Sequence, residues 1–293
     1  LTKIRMKPTS KIIIGCMSWG KWGKQFSTKE ATEMVQFCVA NGNTTFDHAD
    51  LYGDYTTEAE FGAAFKASKI DREKIELITK CGIQNPGETR DNKVKYYNYS
   101  KEYIIWSAEQ SLKNLKTDYL DTFLLHRPSA LMHPEEIAEA ISTLKRDGKI
   151  INFGVSNFTP SQVNLIVDHV SVDVNQIEFS LTQNSAMKDG TLDQMLQKKM
   201  QPMSWSPLGS VFREETHQTK SIKEVLKRLS TKYNCTDDAL LLAWLFKHPA
   251  KVAPVIGTTN KDRILNANKA LEINLELEDW FIMLEASNGQ EVA

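Results

Sequence analysis

Four ionisable side chains lie at or near the ends of short apolar segments in the first half of the chain. Asp47, Lys80 and His126 each end a segment rich in β-branched and apolar residues, and Tyr52 follows Asp47 by five residues. Carboxylate, ammonium, imidazole and phenol groups hold, orient and transfer protons in enzymes. Each residue alone also fits a structural role, as a turn cap, a solvated cation, an interior imidazole or a packed ring. Their joint occurrence at segment ends favours one pocket in which protons are held and transferred.

Eight segments have the β-branched and apolar character of buried strands. They are Ile12–Gly15, Thr44–Asp47, Ile75–Lys80, Thr122–His126, Asn152–Ser156, Val172–Glu178, Pro202–Ser206 and Val252–Ile256. Helical spacing of apolar residues follows each strand. Capping boxes at Ser27–Glu30, Thr57–Glu60 and Thr159–Gln162 predict the starts of three of the helices.

The alternation of strands and helices predicts a parallel sheet, because parallel strands need crossover connections. Eight such units in 293 residues fit a closed (β/α)8 TIM barrel, whose usual size is about 250 residues. An open doubly wound sheet is the alternative, but it usually carries Gly-x-Gly-x-x-Gly after its first strand, and Gly15 to Gly20 lacks that spacing. No change in composition marks a second domain. We therefore predict a single α/β domain over residues 1–293, with the four ionisable groups at the carboxyl-end rim where such barrels build their active sites.

Charge and composition argue against several classes of protein. The chain has 36 basic and 37 acidic residues and a formal net charge of −1, so no global field favours nucleic acid or an anionic membrane as a partner. The apolar runs are far shorter than the roughly 20 residues of a membrane span. Cys16, Cys38, Cys81 and Cys235 lie far apart without a Cys-x-x-Cys pair, which favours reduced thiols in a cytoplasmic protein.

The residues around Asp47 resemble a known family. The run Phe46-Asp47-His48-Ala49-Asp50-Leu51-Tyr52-Gly53, followed by Lys80 and His126, is similar to the aldo-keto reductase signature. Gly154-Val155-Ser156-Asn157-Phe158 and Asn175-Gln176-Ile177-Glu178 are similar to further parts of it, and the likeness covers essentially the whole chain. The resemblance implies NADPH-dependent reduction of aldehydes or ketones to alcohols, without a metal, in the cytoplasm.

Carbonyl reduction needs a hydride on carbon and a proton on oxygen. Tyr52 is the candidate general acid, although a free phenol with a pKa of about 10 is a slow donor at neutral pH. We expect the Lys80 ammonium to lower that pKa and Asp47 to keep Lys80 charged and oriented. His126 can hydrogen-bond the substrate oxygen. Because no redox-active side chain is evident, the hydride must come from a cofactor.

The resemblance also assigns residues to cofactor binding. They are Ser156, Asn157, Gln176, Trp205, Ser206, Leu208, Gly257, Thr258, Thr259 and Arg263. Among them, Ser156, Asn157 and Gln176 are assigned to the nicotinamide carboxamide, which amides and hydroxyls can bind. Trp205 is assigned to stacking on the nicotinamide, with core packing as its alternative role.

The remaining cofactor residues follow the last two strands. Residues 206–209 and 257–260 lead to a helix N-terminus, where backbone amides can bind phosphate. Arg263 is the candidate for the adenosine 2′-phosphate. Gly257 stands where many relatives carry lysine, and Asn266-Ala267 replaces a usual Glu-Asn pair. Both differences weaken the preference for NADPH, so NADH is the alternative cofactor.

Trp19, Trp22 and residues 81–99 are expected to form the wall of the substrate site, with an aromatic and mostly apolar surface. The residues at 81–99 are polar and include three tyrosines, which predicts a long connection. The expected partner is a small carbonyl compound, and the expected assembly is a monomer or a weak homo-oligomer.

Two other functions fit parts of the pattern. A non-catalytic, cofactor-binding regulatory subunit would have the same fold, but the complete set of four catalytic residues argues against it. A metal-dependent barrel hydrolase would use His48, Asp50 and His126, although no His-x-His pair occurs among the six histidines.

Overall fold

The structure is a computed structural model that describes residues 10–292. The parts of the predicted domain at 1–9 and 293 lie outside the described residues. In chain order the strands are β1 (Ile13–Gly15), β2 (Thr45–Asp47), β3 (Glu76–Cys81), β4 (Ile83–Gln84), β5 (Tyr96–Tyr97), β6 (Leu120–Leu125), β7 (Ile150–Ser156), β8 (Val174–Glu178), β9 (Gln201–Trp205) and β10 (Ala253–Ile256).

The helices alternate with eight of these strands as the sequence predicts, whereas β4 and β5 follow β3 directly. They are α1 (Thr28–Ala40), α2 (Tyr52–Tyr55), α3 (Thr57–Ser68), α4 (Lys101–Leu115), α5 (Pro134–Arg146), α6 (Pro160–Val167), α7 (Thr191–Lys198), α8 (His217–Tyr233), α9 (Asp237–Phe246), α10 (Lys261–Lys269) and α11 (Leu277–Asn288). Short 3₁₀ turns lie at Arg72–Lys74, Ser185–Met187 and Ala270–Glu272. No helix in the part of the chain that the structure describes is long and apolar enough to cross a membrane.

Eight of the strands close into one parallel barrel, in the order β1-β10-β9-β8-β7-β6-β3-β2. The barrel closes at β1, where Ile13 pairs with Val255 of β10 and Ile14 pairs with Phe46 of β2. The prediction of a single (β/α)8 barrel domain is therefore confirmed. The open-sheet alternative is wrong, because β1 has a neighbour on each side.

The period of two along each strand decides which side chains reach the barrel interior. A small buried cluster fills this interior and includes Ile78, Leu124, Val174, Met203 and Val255. The residues two positions further along these strands belong to the next layer, towards the carboxyl-end rim. These residues are Lys80, His126, Gln176, Trp205 and Gly257. The larger core lies between the outer face of the barrel and the helices.

Two of the three predicted capping boxes form. Ser27 and Glu30 bond reciprocally at the start of α1, and Thr159 and Gln162 do so at the start of α6. The box predicted at Thr57–Glu60 is wrong: α3 begins after Thr56, whose φ of −110° and ψ of −29° are near-helical and whose side chain makes no capping bond. A capping residue normally has an extended backbone. The chain instead enters α3 directly from the preceding turn.

The predicted long connection at 81–99 contains a structure of its own. β4 and β5 pair antiparallel, with Ile83 opposite Tyr97 and Gln84 opposite Tyr96. This hairpin rises from the end of β3, beside the position of Lys80. It therefore extends the barrel wall at the rim that carries the ionisable residues.

Candidate active site

Lys80 lies at the centre of the predicted catalytic group and its side chain is fully buried. Its Nζ donates to Asp47 Oδ1 and Oδ2 at 2.8 and 2.7 Å and to the His48 carbonyl oxygen at 2.7 Å. The same nitrogen lies 3.4 Å from the Tyr52 hydroxyl. Asp47 and Lys80 come from strands β2 and β3, which pair directly with each other, and this pairing brings the two side chains together.

Tyr52 reaches the group through a tight turn. It opens the short helix α2, in which Gly53 and Asp54 have left-handed φ angles of 62° and 59°. Such angles are easy for glycine and tolerated by aspartate. The Tyr52 ring lies 6.0 Å from the His126 ring and 6.3 Å from the Trp22 ring, measured between centroids.

The net electrostatic effect on Tyr52 differs from the sequence-based expectation. Burial raises the pKa of Tyr52 above its ordinary value, and the nearby Lys80 charge lowers it by less. For Lys80, burial lowers the pKa, but the electrostatic interactions and hydrogen bonds with Asp47 and Tyr52 together raise it by more, so the net pKa is above the ordinary value. The phenol is therefore protonated and the amine charged at neutral pH.

His126 is the first residue after β6, and its backbone N–H donates to the Cys81 carbonyl oxygen at 2.9 Å. Burial, followed by the charges of Lys80, Arg127 and Lys95, holds the pKa of its imidazole well below the usual value. Nδ1 is buried and has no hydrogen-bond partner within residues 10–292. The ring is therefore a neutral imidazole, which can donate one hydrogen bond to a substrate oxygen.

The residues assigned to the carboxamide form a connected set beside the four predicted catalytic residues Asp47, Tyr52, Lys80 and His126, which we call the tetrad. The Gln176 amide donates to Asp47 Oδ1 at 2.9 Å, and Ser156 Oγ donates to the Gln176 carbonyl oxygen at 2.9 Å. Asn157 Nδ2 donates to Ser156 Oγ at 2.8 Å, and Trp205 Nε1 donates to Asn157 Oδ1 at 2.9 Å. This chain of hydrogen bonds fixes the side chains that line the cavity between the tetrad and β9.

Two adjoining cavities run across the rim. A cavity of about 500 Å³ is lined by Asp47, Tyr52 and His126, together with Ser156, Asn157, Gln176 and Trp205. A second cavity of about 770 Å³ is lined by Leu208, Thr258, Thr259 and Arg263, among others. Ser206 and Gly257 line both, so the cavities form one trough from the tetrad to the N-terminus of α10. We call them the tetrad cavity and the α10 cavity.

The structure places the two predicted substrate-wall tryptophans differently. Trp22 is 45% exposed and lines the tetrad cavity. Trp19 is 3% exposed and packs edge-on against Phe26 and Phe46, so the expectation that it walls the substrate site is wrong. Its indole covers the outer face of the barrel instead. From the 81–99 segment, Ile83 and Lys95 line the cavity.

Sequence reasoning missed four cationic residues of the trough. Arg127 and Lys95 line the tetrad cavity, Lys24 lines the α10 cavity, and Arg213 lines both cavities. Arg127 directly follows His126, so its place at a strand end was a usable signal. Lys95 and Arg213 lie outside the barrel strands, and no periodic pattern fixes where such residues point.

The residues of the hydrolase alternative do not converge. The buried His48 ring packs 4.3 Å from the Phe61 ring, and burial with the Lys80 charge lowers its pKa to about 3. Asp50 Oδ2 instead accepts hydrogen bonds from Ser107 and Tyr103 of α4. Within the described residues, no group of three or more His, Cys, Asp and Glu side chains could hold a metal ion.

An eight-stranded barrel with this arrangement of tyrosine, lysine, aspartate and histidine at its rim has the architecture of the aldo-keto reductases. The model of the aldo/keto reductase family matches residues 11–287. The chain belongs to this family, whose members are oxidoreductases.

Similar proteins cover nearly the whole chain. An uncharacterized oxidoreductase of Bacillus subtilis, YcsN, is 40% identical over 97% of this chain and 96% of its own. A 6-dehydroglucose reductase of Agrobacterium fabrum is 37% identical over 99% of each chain. The crystal structure of a Klebsiella pneumoniae aldo/keto reductase in complex with NADP and acetate has a TM-score of 0.74, at 21% identity over 93% of this chain and 89% of that one. The last similarity supports the fold.

Proposed function

We propose that the protein reduces an aldehyde or a ketone to an alcohol with a nicotinamide cofactor, and that Tyr52 donates the proton. One observation carries the proposal: the Tyr52 hydroxyl lies 3.4 Å from a lysine ammonium that Asp47 holds through both carboxylate oxygens. Tyr52 and His126 line the same cavity. A proton donor and a neutral hydrogen-bond donor are therefore available to one carbonyl oxygen.

The trough fits a dinucleotide. Within the described part of the chain, Lys24, Arg213 and Arg263 line the α10 cavity against a single carboxylate, Asp238, which suits the charge of phosphate groups. The amide and hydroxyl groups of Asn157, Gln176 and Ser156 lie at the other end of the trough. When bound there, NADPH or NADH supplies the hydride. The Klebsiella pneumoniae structure with NADP has the same fold, which supports this choice.

The chain's own residues account for the proton. Burial keeps Tyr52 protonated at neutral pH, so that the proton is present before the reaction. As negative charge develops on the phenol oxygen, the Lys80 ammonium stabilises it. Asp47 holds Lys80 in place, and His126 donates a hydrogen bond to the carbonyl oxygen, which places that oxygen beside Tyr52.

Tyr52→Phe tests the assignment of the proton donor. The assay is loss of NADPH absorbance with a panel of aldehydes, which includes aromatic aldehydes and, because of the Agrobacterium relative, 6-dehydroglucose. We expect kcat to fall by about 10²- to 10⁴-fold, the usual worth of general acid catalysis. Tyr55→Phe is the matched control, because Tyr55 lies in the same helix and, among the residues that the structure describes, its hydroxyl bonds only to the backbone of Ile83 and Asn85.

Cofactor binding separates the remaining outcomes. NADPH should quench tryptophan fluorescence equally in wild type and Tyr52→Phe. Equal turnover by both proteins would remove Tyr52 from the mechanism. NADPH binding without turnover of any aldehyde or ketone would favour the regulatory subunit instead.

A further inference from the structure

The tetrad cavity has a cationic side that the proposed reaction does not use. Lys95 and Arg127 line this cavity but not the α10 cavity. Among residues 10–292, the only carboxylate that lines it is Asp47, and both oxygens of Asp47 accept hydrogen bonds from Lys80. In this part of the chain, Lys95 and Arg127 therefore place two positive charges near His126 without a counter-charge.

Both cations lack an ion-pair partner, as far as residues 10–292 show. The ion pairs of the described chain involve neither Lys95 nor Arg127. The Arg127 guanidinium lies 5.3 Å from the centroid of the Trp205 ring, and the residue is half-buried. A half-buried cation loses hydration, which an anionic ligand can replace.

The backbone of Arg127 is fixed. Its N–H donates to the Tyr99 hydroxyl at 3.1 Å, and that hydroxyl donates to the Arg127 carbonyl oxygen. Tyr99 is itself buried, at the end of the 81–99 segment that also carries Lys95. The contact with Tyr99 therefore joins the backbone of Arg127 to the segment that carries Lys95.

The two charges act on His126. Together with burial and Lys80, they depress the pKa of its imidazole, so the positive field of Arg127 and Lys95 extends to the group that meets the substrate oxygen. A substrate bound between Tyr52 and His126 therefore occupies this field.

We propose that the preferred substrate carries an anionic group, a carboxylate, phosphate or sulfonate, and that Arg127 and Lys95 bind this group while the carbonyl lies between Tyr52 and His126. The proposal rests on the proposed reductase function and names its substrate class. Arg127 offers the planar, forked donor set that matches such anions, and Lys95 adds a point charge at the cavity mouth.

The cofactor does not account for these two residues. Its phosphates already have Lys24, Arg213 and Arg263 in the α10 cavity, which neither Lys95 nor Arg127 lines. If Arg127 served only to hold Trp205, its loss would affect acidic and neutral substrates alike. This difference makes the two roles separable.

The test compares matched substrates. The 2-, 3- and 4-formylbenzoates are each assayed with NADPH against their methyl esters, which keep the aldehyde and remove the charge. Arg127→Met and Lys95→Met are each expected to lower the ratio of kcat/KM for the acid to kcat/KM for its ester. For Arg127→Met we expect a decrease of about 10- to 100-fold, which corresponds to one charge-assisted hydrogen bond. This decrease should come from a higher KM for the acid. Raising the ionic strength should lower wild-type kcat/KM for the acids only.

Lys93→Met is the matched control, because Lys93 is exposed in the same hairpin segment and does not line the cavity. Its acid-to-ester ratio should equal that of wild type. If the esters are turned over but the acid-to-ester ratio is the same in wild type, Arg127→Met and Lys95→Met, the proposal is overturned. The reductase function is then unaffected. An equal loss for acid and ester in Arg127→Met would also overturn it, in favour of a role through Trp205. Absence of turnover with every compound would refute the reductase function and the inference that depends on it.

Discussion

The buried pair of Asp47 and Lys80 makes a strong prediction for Lys80→Met. The variant removes an ammonium that has no exposed side-chain surface. Of the side-chain donors to the Asp47 carboxylate within residues 10–292, only the Gln176 amide then remains. Removing one partner of a buried ion pair costs about 3 to 5 kcal/mol, because the remaining charge stays buried without compensation. That is a large part of the roughly 5 to 15 kcal/mol that stabilises a typical domain. Urea unfolding at pH 7, followed by tryptophan fluorescence, measures the loss.

The double variant Asp47→Asn/Lys80→Met separates charge from packing. It removes both charges, so we expect it to recover at least half of the lost free energy of unfolding while activity stays lost. Lys101→Met is the control, since the Lys101–Glu139 pair at 2.7 Å lies in solvent and should contribute little. A double variant no more stable than Lys80→Met would refute the electrostatic reasoning and assign the loss to packing.

Three further predictions concern stability and cofactor choice. Burial raises the pKa of Asp50 to about 7, so the native state keeps a proton that the unfolded chain releases near pH 4, and wild-type stability falls as pH rises from about 4 to 7. The free energy of unfolding of Asp50→Asn, measured relative to wild type by urea unfolding, should therefore increase by about 2 to 3 kcal/mol from pH 5 to pH 8. Parallel pH profiles of the two proteins would contradict this. Arg263→Gln should raise the KM of NADPH about 10- to 100-fold while changing that of NADH little, as initial rates would show; equal effects on both would exclude a 2′-phosphate role. A Cβ at Gly62 would lie 2.0 Å from the Asn114 backbone carbonyl oxygen, so the free energy of unfolding of Gly62→Ala should fall by about 1 to 3 kcal/mol. A Cβ at Gly257 would meet no atom of the described residues within 4 Å, so Gly257→Ala should unfold thermally like wild type.

The strand ends were predictable because a closed barrel needs little long-range information. Once β2, β3 and β6 are parallel neighbours, their carboxyl ends share one rim. The period of two then places Lys80 above Ile78 and His126 above Leu124, on the inner side of the sheet. Local sequence patterns are therefore enough to predict both the shared rim and the inward direction of these side chains.

Residues outside the strands were not predictable in the same way. Trp19 and Trp22 are three residues apart in an irregular segment, and contacts with Phe46 and Phe61 turn only Trp19 into the core. Lys95 reaches the cavity because it lies in the β4–β5 hairpin, and the polar sequence of 81–99 does not predict this hairpin. Tertiary packing determines the directions of these side chains, and that packing cannot be inferred from a single sequence.

The net pKa of Tyr52 also depended on the structure, and it changes how Lys80 acts. In the resting site burial outweighs the Lys80 charge, so the phenol keeps its proton and the Asp47–Lys80 pair is electrically neutral as a whole. In the proposed reaction, loss of the proton would leave a phenolate 3.4 Å from the ammonium, and the attraction would become much stronger than in the ground state. An interaction that strengthens only in the transition state raises kcat without tightening substrate binding. If Tyr52 donates the proton as proposed, Lys80 contributes to the rate of proton transfer rather than to the ionisation of the resting tyrosine, and its loss should appear in kcat more than in KM.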